Sequence, residues 1–148
     1  MIAVDTNILV YAHRRESAFH LAAADCIRAL AEGEATWAIP WPCLHEFLAV
    51  TTNPKIFQHP TPISIALAQV DRWRESPSLK LIGEDEAYWP ICSDLVRSNE
   101  IRGAKVHDAR IAAIAMAHGV RELLSADRDF SRMPPLVVRN PLRQSRRK

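Results

Sequence analysis

Short apolar runs alternate along this chain with longer segments of helical periodicity. Ile2-Ala3-Val4 stops at Asp5-Thr6-Asn7, and the apolar character resumes as Ile8-Leu9-Val10-Tyr11-Ala12. That pattern predicts a strand, a turn and a short helix. Ala18 to Ala31, rich in Ala and Leu, predicts a helix that Gly33 would stop. Thr36-Trp37-Ala38-Ile39 reads as a strand bounded by Pro40, and Trp41 to Thr52 as a helix that tolerates Pro42 in its first turn. Lys55 to Pro62 holds two prolines and reads as loop. Beyond it the pattern predicts helix Ile63 to Arg74, strand Leu79 to Ile82, helix Asp85 to Asn99 and a polar connection from Ile101 to Val106. Helix His107 to His118 ends at Gly119, and strands Glu122 to Leu124 and Leu136 to Val138 follow. Strands alternating with helices point to an α/β fold with a mostly parallel central sheet.

That topology places chemistry. In an open parallel sheet, ligands bind beyond the carboxyl ends of the strands. Asp5 ends the first strand and Asp127 follows Leu123-Leu124-Ser125, so both sit at that edge. A helix leaving a strand starts there, which brings Glu46. A helix about to enter a strand also starts there, which brings Asp108. Asp108 shares a helical face with Ile111, Ala112 and Ala115, where a carboxylate is costly without a cation. Each acid alone has an ordinary alternative: a helix cap for Asp5, a polar turn for Asp127, a first-turn acid for Asp108, a surface group for Glu46. Convergence of all four at one edge favours a shared site. Carboxylates packed together repel unless a cation neutralises them. An all-oxygen set without Cys or His suits Mg²⁺ or Mn²⁺ rather than zinc, and such an ion serves phosphodiester hydrolysis.

Composition narrows this further. At 148 residues, 48% hydrophobic and 24% charged, the chain fits one soluble domain without repeats or linkers. It shows neither a signal peptide nor an apolar run long enough for a membrane, which predicts a cytoplasmic protein. Cys26, Cys43 and Cys92 are odd in number and lack C-x-x-C spacing, so reduced thiols are expected. The formal charge is +2, yet the last ten residues carry five basic groups and no acid, leaving the rest at −3. This basic tail fits a phosphate backbone or a solvated terminus equally. Nucleotide-cofactor and serine-hydrolase motifs are absent. His45-Glu46 is no zinc-protease signature either, because position 49 is Ala49. Trp37, Trp73 and Trp89 read as core, and Trp41 as the tryptophan near the site. His107 reads as a helix-start or packing residue.

Four segments together carry a family resemblance: Asp5-Thr6-Asn7-Ile8-Leu9-Val10-Tyr11-Ala12, Pro42-Cys43-Leu44-His45-Glu46-Phe47, Val106-His107-Asp108-Ala109 and Ser125-Ala126-Asp127-Arg128-Asp129-Phe130. The ordered set resembles PIN-domain ribonucleases, and more closely the VapC-type toxins of type II toxin–antitoxin systems. The resemblance implies a PIN domain over residues 1–142, a three-layer α/β/α sandwich, with 143–148 a basic C-terminal tail. It also implies a Mg²⁺- or Mn²⁺-dependent endoribonuclease acting on RNA, transfer or ribosomal, as well as a VapB-type antitoxin partner and a homodimer. By this resemblance Asp5, Glu46, Asp108 and Asp127 are catalytic metal ligands, Thr6, Asn7 and Ser125 support them, and Asp129 is an outer partner or substitute. Rival readings are a non-catalytic module that pairs with an antitoxin on operator DNA, and a DNA- or structure-specific nuclease.

Overall fold

The computed structural model describes residues 1–128, 130 and 133–143. Among them the chain runs β1 (Ile2–Val4), α1 (Thr6–His13), α2 (His20–Glu32), β2 (Trp37–Pro40), α3 (Trp41–Thr51), α4 (Ile63–Arg74), β3 (Leu79–Ile82), α5 (Tyr88–Ser98), α6 (Lys105–Ala117), β4 (Glu122–Leu124) and β5 (Val137–Arg139). The strands form one sheet in the order β3-β2-β1-β4-β5, and every pairing is parallel.

Parallel pairing demands crossovers, and right-handed crossovers fix the layers. The steps from β1 to β2 to β3 carry α1 to α4 over one face. The return from β3 to β4 carries α5 and α6 over the other, where these two helices pack together. Strands covered on both faces must be apolar throughout. Ala3, Val4, Trp37, Ala38, Ile39, Leu123 and Leu124 are accordingly fully buried. The chain reverses direction across the sheet between β1 and β4, so the crevice of an open α/β sheet opens beyond those two strands. Among the described residues no helix is long and apolar enough to cross a membrane.

Helix ends explain the boundary shifts from the sequence expectation. The Asp85 side chain accepts from the Ala87 N–H at 3.0 Å, which holds residues 85–87 in a turn and delays α5 to Tyr88. The 101–106 connection is shorter than expected because α6 starts at Lys105, two residues beyond Gly103. Gly33 stops α2 with an ordinary φ of −75°. A Cβ there would stand 2.9 Å from the Ala29 carbonyl oxygen, so close approach is what the position requires. Trp89, expected in the core, is 67% exposed. The buried stripe of α5 runs through Cys92 and Leu95, and position 89 lies to one side of it. Trp37 and Trp73 are buried as expected.

Two helices end in the same motif with different residues. After α6, Val120 N–H reaches the Ala115 carbonyl and Gly119 N–H that of Met116, with Gly119 left-handed at φ 72°. After α5, Ile101 N–H reaches Val96 and Glu100 N–H reaches Arg97, but the left-handed residue is Glu100 at φ 50°. A Cβ in this conformation costs about 1 kcal/mol. Glu100→Gly should therefore raise, and Gly119→Ala lower, unfolding stability by about 1 kcal/mol each in urea titrations. Equal stabilities for all three proteins would refute this account of the caps.

Candidate active site

Asp5 leaves β1 at its carboxyl end, pinned by its own N–H to the Leu124 carbonyl at 3.0 Å. It is also the N-cap of α1, its Oδ1 accepting the Thr6 N–H at 2.8 Å. Capping and site-building are thus one act of the same carboxylate. The side chain is only 4% exposed and takes three further donors. Ser125 Oγ donates to Oδ2 at 2.7 Å, Asn7 Nδ2 donates to Oδ2 at 3.2 Å, and Cys43 Sγ donates to Oδ1 at 3.7 Å.

Ser125 is the second hub. Besides donating to Asp5, its Oγ accepts from Asn7 Nδ2 at 3.2 Å and from the Asp127 N–H at 3.0 Å. Asn7 closes the ring through its Oδ1, which accepts the Ala126 N–H at 3.1 Å. The segment after β4 is thereby fastened to the start of α1. Thr6 extends the network to the second turn of α3, its hydroxyl donating to Glu46 Oε2 at 2.7 Å. Thr6, Asn7 and Ser125 each orient an acid or the segment that carries one.

Asp5, Glu46, Asp108 and Asp127 line one cavity of about 330 Å³. Its remaining wall is Thr6 and Asn7 with the apolar Val10, Tyr11, Val50 and Phe57. Glu46 is exposed, whereas Asp108 and Asp127 are half-buried. Burial pushes the Asp5 carboxyl up to about 6. The donors Ser125, Thr6 and Cys43 pull it down without cancelling that cost, and Glu46 adds repulsion. The Cys43 thiol is held well above its ordinary value, first by burial and then by Asp5, so it remains an S–H donor. The cavity therefore gathers carboxylates, and among the described residues no cation pairs with Asp5. Among the described residues no three His, Cys, Asp or Glu side chains already close on a common point. The carboxylate oxygens that line the cavity are the donor type that a hard divalent ion takes.

A family model described as PIN domain matches residues 2–135. The chain belongs to the PIN domain family. Relatives within it include ribonuclease VapC43 of Mycobacterium tuberculosis, 32% identical over 142 residues that span 96% of either chain. Ribonuclease VapC48 of the same species is 28% identical over 137 residues, covering 93% of this chain and 94% of that one. Among solved structures, VapBC2 from Rickettsia felis, bound to a DNA fragment from its promoter, superposes with a TM-score of 0.69 at 24% identity, covering 95% and 98% of the two chains. Mycobacterium tuberculosis VapC20, a sarcin-ricin loop cleaving toxin, gives 0.63 at 21% identity, covering 88% and 93%. These two likenesses bear on the fold, and the PIN-like α/β/α sandwich is the fold observed.

The four acids expected from sequence thus line one cavity; Thr6 bonds Glu46, and Ser125 and Asn7 bond Asp5. Asp129 and residues 144–148 of the basic tail lie outside the described residues. His107 is exposed in the first turn of α6, the helix-start place expected of it. Trp41 does not border the cavity. It stands beside His45, ring centroids 6.3 Å apart. Sequence reasoning missed Cys43, Tyr11 and Phe57. Cys43 lies three residues before Glu46 on the same helix, a spacing that offered a signal. Phe57 sits in a proline-rich loop and offered none.

The raised carboxyl of Asp5 has a sign for stability. Its native pKa lies above the ordinary 3.8, so its contribution is fully present below about pH 4 and lost as pH rises through about 6. In chelator, wild type should lose stability relative to Asp5→Asn between pH 5 and pH 7.5, by about 1.4 kcal/mol. Urea unfolding of both proteins across that range measures the difference. A difference that does not change with pH would contradict a strained carboxylate.

Proposed function

We propose that this PIN-domain protein is a Mg²⁺- or Mn²⁺-dependent endoribonuclease, held in check by a VapB-type antitoxin. One observation carries the reading: four acids from four distant segments line one cavity at the switch point of a parallel sheet. Asp5, Glu46, Asp108 and Asp127 would hold the ion. When bound, it polarises a phosphoryl oxygen and lowers the pKa of a coordinated water. Asp5 is fixed by Ser125 and Asn7, and Glu46 by Thr6, so neither has to find its orientation at the moment of reaction. In the overall hydrolysis the water oxygen bonds phosphorus and the P–O3′ bond breaks, leaving a 3′-hydroxyl and a 5′-phosphate.

The restriction to RNA is supported by relatives that carry the name ribonuclease along nearly the whole chain. The antitoxin is supported by the solved VapBC assemblies that share the fold. It is supported also by apolar surface left open on α4, where Ile63 and Leu67, one turn apart, are 55% and 46% exposed.

The purified protein, free of antitoxin, should cleave RNA in Mg²⁺ and not in chelator. Asp5→Asn and Asp108→Asn should each retain the fold by circular dichroism and lose at least a hundredfold in cleavage rate. Cleavage by Asp5→Asn at the wild-type rate would sink the site. Ends bearing a 2′,3′-cyclic phosphate would replace the water mechanism with attack by the ribose hydroxyl.

A further inference from the structure

Phe57 borders two cavities at once. On one side is the carboxylate cavity, and on the other a cavity of about 680 Å³ whose lining includes His13, Arg14, Arg15 and His59. An aromatic ring therefore stands between an acidic centre and a basic pocket. The ring is held firmly. Arg14 lays its guanidinium 4.0 Å from the ring centroid. Arg14 is in turn tied to Glu16 at 2.5 Å, to the His59 carbonyl at 2.9 Å and to the Thr61 hydroxyl at 3.1 Å. The loop backbone is anchored to the end of α3, Phe57 N–H to the Asn53 carbonyl and Thr61 N–H to that of Thr51. Arg14, with its side chain 11% exposed, is occupied by these contacts. Arg15 beside it is exposed and makes no ion pair with a described residue.

Proteins that grip single strands without reading them combine basic groups for the backbone with rings on which bases stack. This surface has both, in alternation with the acids. Across α1, the nine-residue step from Asp5 to Arg14 is about 13.5 Å, a span of a few nucleotides. We propose that the Lys55–Pro62 loop is a single-strand platform, on which Phe57 stacks a base of the RNA next to the reacting bond and Arg15, with His59, takes a phosphate beyond that base. This rests on the ribonuclease reading of the neighbouring cavity. Another basic groove, with Arg128, Arg139 and Arg143, meets the carboxylate cavity at Asp127. Among the described residues no aromatic ring lines it, and Arg139 is paired with Glu122 at 2.6 Å.

The test is binding of single-stranded pentaribonucleotides carrying 2-aminopurine to the full chain in Ca²⁺, followed by quenching and anisotropy over a salt series. Phe57→Leu keeps apolar bulk without a ring. It should weaken binding about tenfold and remove the quench, while Phe57→Trp retains both. Arg15→Ala should lower the slope of log affinity against log salt by about 0.7, a slope that Phe57→Leu leaves unchanged. In Mg²⁺, Phe57→Leu should raise KM while kcat holds. Wild-type affinity and quench in Phe57→Leu, or an unaltered salt slope in Arg15→Ala, overturn the platform. If wild type and Phe57→Leu cleave with the same KM, the platform fails and the ribonuclease reading stands. If wild type binds with these signatures yet never cleaves, the ribonuclease reading fails and the RNA-binding surface remains.

Discussion

The buried carboxylate of Asp5 is the constraint around which the molecule is arranged. It ends the central strand, caps α1, receives a thiol from α3 and is bound by the serine that ends β4. Removing it would uncap a helix and leave Ser125, Asn7 and Cys43 without their shared acceptor. The four donors are still insufficient to offset its desolvation, as its raised pKa records. A group so well bonded and so poorly neutralised suits the cation proposed for this cavity, and the acids around it add to the same field.

This arrangement also explains why orientation and charge come from different places. Thr6, Asn7 and Ser125 carry no charge and are close in space to the strand ends, so they fix geometry. Glu46, Asp108 and Asp127 enter from a helix, another helix and a loop, so they set the field in the cavity. Changes to the first group would disturb where the carboxylates point. Changes to the second would alter the electrostatic field within the cavity.

Much of this was legible in the amino-acid pattern, for reasons that also mark its limit. Asp5 and Asp127 were placed by strand ends, because a short apolar run that stops at an acid has few alternatives in a parallel sheet. Helix Ile63–Arg74 and strand Leu79–Ile82 have the bounds expected of them, since prolines and polar residues punctuate both. The start of α5 was misplaced by a side chain, Asp85, that bonds its own backbone. Trp89 departs from expectation because residue type suggests burial while helical phase sets it outside. Phe57 was invisible, because a loop residue's neighbours are set by contacts such as that with Arg14, which is distant in sequence.

The bond between Ser125 and Asp5 joins residues 120 positions apart, and β1 has no finished neighbour on that side until β4 exists. During synthesis, α1 to α6 can gather before this happens, but the carboxylate cavity cannot. The first acid waits 120 residues of synthesis for the hydroxyl that fixes it. The cavity is therefore a late product of folding, closed only when the end of β4 reaches back to the start of the sheet.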